Sequence, residues 1–140
     1  MKQDRSRVIL DTNTLVSALI RLDSIPAMAV RMALEACDVF VSSETLDEFE
    51  RVMFRGKFDR YFAPAETTRE QFIAFYKLKV IVADVTTIST DCTDPSDNKF
   101  LSLAVSVLAD FIVTGDTPHL ISVNPYRDIR IVTAAQFVKS

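Results

Sequence analysis

The sequence predicts an α/β fold, in which helices cover both faces of a mainly parallel sheet of about five strands. Short apolar runs rich in branched residues alternate along the chain with longer segments whose apolar residues recur at helical spacing. At 140 residues, with 49% apolar and 25% charged residues, the chain has the size and composition of one globular domain, spanning residues 1–140. Alternating strands and helices imply parallel strands joined by right-handed connections.

The first half of the chain contains two predicted strands and three predicted helices. The strands are the apolar runs Val8–Leu10 and Val39–Val41. Each helix follows side chains that can cap it through an oxygen atom. The helices are expected over about 14–21 after Asp11-Thr12-Asn13, from Ser24 to about Ala36, and from Ser42-Ser43 to about Phe54. The segment Arg55–Pro64 breaks the pattern and is expected to be a loop or a short helical turn.

The second half begins with a helix that contains Phe72 and Tyr76 and that Thr68 can cap. A strand over Val80–Val85 and a polar loop follow. A further helix starts at Asp94-Pro95 and carries a broad apolar face that extends to Leu108. The remaining predicted elements are a buried strand over Phe111–Val113, an irregular segment over 117–126, an edge strand over Ile129–Val132 and a short helix capped by Thr133.

Acidic residues follow the strands and begin the helices of this pattern. In a parallel sheet, functional groups gather beyond the carboxyl ends of the strands. Asp11 follows the first strand, Asp97 starts a helix and Asp116 follows the strand before it, so these three are candidates for one site. Glu44 and Glu48 lie one helical turn apart, and Glu48 lies nearer the apolar stripe. We therefore expect Glu48 to point inward and Glu44 to point to water.

Each acid also has a purely structural interpretation. Asp11 can cap the first helix, Asp97 has the spacing of a capping box with Asp94, and Asp116 can be a turn residue after Gly115. Their joint occurrence at strand ends and helix starts favours a common site. We expect no lysine to lie among these acids to neutralise them.

Composition excludes several classes of function. No apolar run approaches the ~20 residues of a membrane span, and no secretory segment is evident, so a cytoplasmic protein with free Cys37 and Cys92 is expected. With only Gly56 and Gly115, the chain cannot form a glycine-rich nucleotide loop, and no nucleotide cofactor is expected. The net charge of −3 suits a nucleic-acid binder only if the acids gather at a metal site.

The sequence resembles the PIN-domain nucleases, in particular the branch of toxin components of bacterial toxin–antitoxin pairs. The resemblance spans nearly the whole chain, and four segments carry it: VILDTNTLVSALI, SSETLDEFERVM, TDPSDNKFLSLAVSVLADFIVTGD and IRIVTAAQFV. It implies a three-layer α/β/α sandwich, which is Rossmann-like and agrees with the pattern of strands and helices. The sequence departs from the family's pattern at one position. Members of the family often have another acid there, whereas this chain has Pro118, followed by His119.

Carried over by position, the family's catalytic and metal-binding carboxylates fall on Asp11, Glu48, Asp97 and Asp116. The resemblance implies supporting roles for Asn13 and Thr114. It assigns the three aspartates as ligands, directly or through water, and leaves Glu48 either to ligate the metal or to orient the attacking water.

Oxygen ligands suit Mg²⁺ or Mn²⁺, and such an ion relieves the mutual repulsion of gathered carboxylates and can activate water. The implied reaction is hydrolysis of single-stranded RNA to a 5′-phosphate and a 3′-hydroxyl. The implied partners are an antitoxin protein and a second copy of the chain, with the aromatic-rich stretch 54–62 as part of a dimer interface. The basic run Arg51, Arg55, Lys57 and Arg60 is either a solvated helix end or a contact for a phosphate backbone.

Three other interpretations are open. Haloacid-dehalogenase-like phosphatases use D-x-D after the first strand, whereas this chain has Asp11-Thr12-Asn13. A phospho-receiver domain requires an acid pair after its first strand and a lysine after a late strand, and neither is evident. A PIN-like fold that has lost catalysis and binds RNA or protein is disfavoured because all four acids are present.

Overall fold

Five short branched runs form the strands of one sheet. The computed structural model of the protein describes residues 5–62, 69–115 and 118–140. Within these ranges the strand order is β3-β2-β1-β4-β5, and every pairing is parallel. The strands are β1 (Arg7–Leu10), β2 (Asp38–Val41), β3 (Ile81–Val82), β4 (Phe111–Thr114) and β5 (Arg130–Thr133). The predicted five-stranded sheet, with the last strand at an edge, is confirmed.

Helices follow the strands in the predicted order. In the part of the chain that the structure describes they are α1 (Thr12–Ile20), α2 (Ile25–Ala36), α3 (Ser43–Met53), α4 (Asp59–Phe62), α5 (Arg69–Lys79), α6 (Asn98–Val107), α7 (Pro118–Ile121) and α8 (Ala134–Lys139). The predicted caps Asp11, Ser24, Ser42 and Thr133 each accept a hydrogen bond from the backbone of the helix that follows. The predicted cap Thr68 lies outside the described residues.

Side chains alternate along the strands and divide the core into two layers. Val8 and Leu10 of β1 pack on one side of the sheet with apolar residues of α1, α2, α3, α5 and α8. Ile9, between them, packs on the other side with residues of α6 and α7. Helices thus cover both faces, and the predicted three-layer α/β/α sandwich is confirmed.

The third strand is shorter than the predicted run Val80–Val85. Only Ile81 and Val82 pair with β2, and both are exposed at the sheet edge. The Ala83 N–H still donates to the Val41 carbonyl oxygen; the chain then leaves the sheet, and serine hydroxyl groups of α6 accept from backbone N–H groups farther along. Ser106 accepts from Thr86 and Thr87, while Ser102 accepts from Ser89. Hydrogen bonds to α6 therefore hold the segment that follows the predicted strand.

Two further details differ from the prediction. The segment expected to be irregular over 117–126 contains the short helix α7. Leu108, expected on the apolar face of α6, is instead its C-cap, with a left-handed backbone (φ 54°) and 77% of its surface exposed. The helix has to end there for the chain to turn into β4, and the turn directs this side chain outward.

The two cysteines and the apolar character of the helices are the features of composition that the structure describes. Cys37 and Cys92 are both free thiols, as predicted. Among the described residues, no helix combines the length and apolar character that crossing a membrane requires.

Candidate functional site

A cleft of about 230 Å³ opens next to the carboxyl end of β1. Its walls come from the starts of α1 and α7, from α3 and the residues after it, and from the turn that leads into α6. The lining residues are Asp11, Thr12, Asn13, Glu48, Val52, Arg55, Asp94, Ser96, Asp97, Phe100 and His119. Three of the four predicted acids, together with Asn13, therefore line one opening. The fourth acid, Asp116, lies outside the described residues.

Asp11 is held in place by the ends of two neighbouring elements. Its Oδ1 atom accepts from the Thr14 backbone N–H at 2.8 Å, which caps α1. Its Oδ2 atom accepts from the Thr114 hydroxyl at 2.6 Å and from the Gly115 N–H at 3.2 Å. Burial raises the pKa of Asp11, and these hydrogen bonds act in the opposite direction. Asp11 is thus both the helix cap of the structural interpretation and a wall of the cleft.

Gly115 allows the end of β4 to approach α1 closely. A Cβ atom at this position would lie only 2.8 Å from the Cβ of Asn13, closer than side chains tolerate. The absence of a side chain lets the Gly115 N–H reach Asp11. The predicted supporting residue Thr114 contacts Asp11 directly, whereas Asn13 lines the cleft.

Glu48 points into the cleft and is hydrogen-bonded through both carboxylate oxygens. Oε1 accepts from the Thr12 hydroxyl at 2.6 Å, and Oε2 accepts from the Lys99 ammonium group at 2.9 Å. Glu44, one turn earlier on α3, is exposed. The predicted orientations of the two glutamates are confirmed.

Lys99 lies among the acids, so the expectation that no lysine would lie there is wrong. Its side chain is 11% exposed, and its ammonium group also donates to the Ser96 carbonyl oxygen. Lys99 is in the first turn of α6, where the helix dipole disfavours a cation. A lysine at such a position needs an acidic partner, and this was the signal in the sequence that could have revealed it.

Asp94 precedes the single 3₁₀ turn before α6, and Asp97 is the last residue of that turn. Asp94 caps this turn by accepting from the Ser96 N–H and hydroxyl at 3.0 and 2.9 Å, and these hydrogen bonds lower the pKa of Asp94. Asp97 makes no capping hydrogen bond, so the capping-box interpretation does not describe it. Burial, followed by the charges of Asp94 and Asp11, raises the pKa of Asp97, and His119 and Lys99 oppose this. The Asp97 carboxylate is therefore not used as a helix cap, and it faces a cleft in which other acids contribute negative charge.

Two side chains with nitrogen donors also line the cleft. Arg55 follows α3 and belongs to the basic run that the sequence singled out, and His119 lies on α7. Two other members of that run stack on neighbouring aromatic rings, Lys57 on Phe58 and Arg60 on Tyr61. Arg55 is thus the residue of this run that borders the acids, although its spacing alone did not distinguish it.

The chain matches the PIN domain family over residues 7–118, from the start of β1 into α7. It belongs to the PIN domain family. Over 117 residues it is 30% identical to an uncharacterized protein of Methanocaldococcus jannaschii, and the match covers 83% of this chain and 74% of that protein. The structure of VapBC2 from Rickettsia felis, solved bound to a DNA fragment from their promoter, shares the fold with a TM-score of 0.56. That match has 14% identity and covers 89% of this chain and 96% of the other.

PIN domains are generally nucleases and usually use divalent metal ions. The carboxylates of the cleft are the kind of ligand that such ions prefer. Within residues 5–62, 69–115 and 118–140, however, no three His, Cys, Asp or Glu side chains lie close enough together to hold an ion. In this PIN domain, Asp11 and Asp97 are the two aspartates of the predicted set that line the cleft within the described residues.

Proposed function

We propose that this PIN domain protein is a metal-dependent endoribonuclease that hydrolyses phosphodiester bonds of single-stranded RNA. The cleft is the observation that supports this proposal most. It gathers Asp11 from the end of β1, Glu48 from α3 and Asp97 from the turn before α6. Lys99 pairs with Glu48, whereas Asp11 and Asp97 raise the local negative charge of the cleft, and their proximity favours a cation-binding site.

We assign Asp11, Asp97 and Asp116 as ligands of Mg²⁺ or Mn²⁺, directly or through water, and Glu48 as a ligand or as the residue that orients the attacking water. The donor set fits such an ion in its chemistry, because every proposed ligand offers carboxylate oxygens. The ion would supply an activated water and neutralise charge that develops on the phosphodiester. Burial raises the pKa of Asp11 and of Asp97, and the charges of Asp94 and Asp11 raise the pKa of Asp97 further, so a nearby cation would stabilise the charged form of both acids.

The other residues of the cleft have roles that need no ion. Thr114 and Gly115 fix the orientation of Asp11, and Thr12 fixes that of Glu48. Asn13 offers a polar side chain at the rim of the cleft. Arg55 offers positive charge beside the acids, where the phosphate groups of an RNA strand would otherwise be repelled, and His119 offers an imidazole group that can form hydrogen bonds.

Cleavage of unstructured RNA with Mg²⁺ or Mn²⁺, compared with EDTA, tests the proposal. We expect cleavage with either metal, none with EDTA, and products that carry a 5′-phosphate and a 3′-hydroxyl. Cleavage that persists in EDTA, or that is unchanged in Asp116→Asn, would contradict the assignment. If the protein binds Mn²⁺ yet cleaves none of many RNAs, the non-catalytic interpretation is the better one.

Arg55 is expected to contact the RNA backbone. Because Arg55→Ala removes a charge at the cleft, it should weaken binding of single-stranded RNA about fivefold to tenfold and reduce the salt dependence (the slope of log affinity against log salt) by about 0.7. Arg51→Ala is the matched control, since Arg51 is exposed on α3 and does not line the cleft. Fluorescence anisotropy at several salt concentrations, without metal, measures both quantities. Equal losses in the two variants would argue against a specific contact.

We further propose that the protein is the toxin of a toxin–antitoxin pair and acts in the cytoplasm. The resemblance to that branch of the family supports this role. Co-purification with the product of a small adjacent gene, together with inhibition of RNA cleavage by that product, would test it. Failure of every adjacent gene product to bind would oppose the assignment.

A homodimer is also proposed, with the stretch 54–62 as part of its interface. Phe54 and Tyr61 are 47% and 40% exposed, and both are apolar surfaces available for contact. Arg69 stacks on the rings of Phe54 and Phe62 and forms an ion pair with Asp59 at 2.8 Å, which orders the stretch. Light scattering should give twice the mass of the chain. A monomer at high concentration would remove the proposal.

A further inference from the structure

The ion pair between Lys99 and Glu48 connects two walls of the cleft. The Lys99 Nζ atom lies 2.9 Å from Glu48 Oε2, and the two side chains are only 11% and 18% exposed. The other oxygen, Oε1, accepts from Thr12 at 2.6 Å. Both oxygens of Glu48 therefore already have a protein donor, which distinguishes Glu48 from Asp97 in the same cleft.

Contacts in the cleft, and not the helix that carries it, hold the Lys99 side chain in position. Its own helix disfavours a cation at this end, yet the side chain is mostly buried there. The ammonium group donates to Glu48 and to the Ser96 carbonyl oxygen, which binds it to α3 and to the turn before α6. A mostly buried charge that loses its partner is strongly unfavourable, so the two residues act as a unit.

We propose that Lys99 is a positioning residue that supplies the cation beside Glu48, so that Glu48 is a fixed carboxylate of the cleft and not a ligand of the metal ion. A divalent ion bound to Glu48 would have to displace the ammonium group or lie against it, and two cations repel strongly at a partly buried site. A carboxylate offers about four acceptor positions, so Glu48 retains the capacity to orient a water molecule. The inference rests on the proposed function and decides between the two roles given there to Glu48.

Calorimetric titration with Mn²⁺ tests the inference without reference to activity. Asp97→Asn should bind Mn²⁺ at least about tenfold more weakly than wild type. Lys99→Met should bind about tenfold more tightly, because Glu48 then becomes an available anionic ligand. The double variant Lys99→Met with Glu48→Gln should return to wild-type affinity. It also removes both charges of the pair, so it remains a test if Lys99→Met alone fails to fold.

Two results would overturn the inference and leave the proposed function intact. One is a loss of Mn²⁺ affinity in the double variant Lys99→Met with Glu48→Gln as large as that in Asp97→Asn. The other is a folded Lys99→Met that cleaves RNA with unchanged kcat. The expected result is that Lys99→Met lowers kcat at least about tenfold and keeps KM within about threefold of wild type. Lys99→Arg should retain part of the wild-type kcat. A wild-type protein that binds no Mn²⁺ and cleaves no RNA would instead overturn the proposed function and this inference together.

Discussion

Replacing Asp97 by asparagine is expected to reduce RNA cleavage on the order of a thousandfold, equivalent to several kcal/mol of transition-state stabilisation. Asp97 has an uncapped carboxylate that faces the cleft, so its charge is available to a metal ion. Asparagine has nearly the same shape and lacks that charge. The loss should therefore appear in kcat and in Mn²⁺ affinity, measured by steady-state kinetics and by calorimetry.

The same substitution should not reduce stability. The pKa of Asp97 is raised above its usual value of 3.8 in the folded protein, mainly by burial. The folded protein thus binds more protons than the unfolded chain, and Asp97 lowers stability as the pH rises from 3.8 through the raised value. Asp97→Asn removes this effect, so its free energy of unfolding at pH 7 without metal should equal or exceed that of wild type.

Two neighbouring acids provide matched controls for Asp97. Glu44→Gln should leave cleavage nearly unchanged, because Glu44 is exposed one turn from Glu48 and does not line the cleft. Asp94→Asn should retain most of the cap on the turn before α6, because asparagine caps nearly as well as aspartate. If Glu44→Gln lost as much cleavage activity as Asp97→Asn, the acids would act only through their total negative charge and not as individual groups of the site.

Much of the fold could be predicted because its elements are encoded locally. Ser24 followed by Pro26 places the start of α2, and Thr133 with Gln136 forms the capping box of α8. The third strand could not be predicted at full accuracy, because its apolar run continues to Val85 while only Ile81 and Val82 pair with β2. An apolar run indicates where a strand can form, while its partners determine how many residues pair.

The candidate site could be predicted to a similar extent. The placement of Asp11, Glu48 and Asp97 followed from strand ends, helix faces and the family resemblance, and the structure brings all three to one cleft. The partner of Glu48 could not be predicted from spacing, because Lys99 is 51 residues away and belongs to another helix. Charge pairs of this kind depend on how helices pack around the sheet, which no local pattern contains.

Asp11→Ala is expected to abolish cleavage and to lower the free energy of unfolding by about 3 kcal/mol. It removes the cap of α1, which contributes about 1 kcal/mol. It also removes the acceptor of the Thr114 hydroxyl and of the Gly115 N–H, and a buried donor that loses its acceptor costs about 1–3 kcal/mol. Burial of the Asp11 charge offsets part of this loss, so the expected total is below the sum.

Urea denaturation of three variants separates these contributions. Ser24→Ala removes the cap of α2 together with an exposed hydrogen bond to the Arg21 carbonyl oxygen, and should cost about 1 kcal/mol. Asp11→Asn should fall between Ser24→Ala and Asp11→Ala, because asparagine keeps the cap on α1 while its amide group cannot accept from Gly115 as the carboxylate does. If Asp11→Ala cost no more than Ser24→Ala, the contacts of Asp11 with Thr114 and Gly115 would contribute nothing to stability. Asp11 would then stabilise the fold only as a helix cap, and its hydrogen bonds with Thr114 and Gly115 would serve to orient the carboxylate for catalysis.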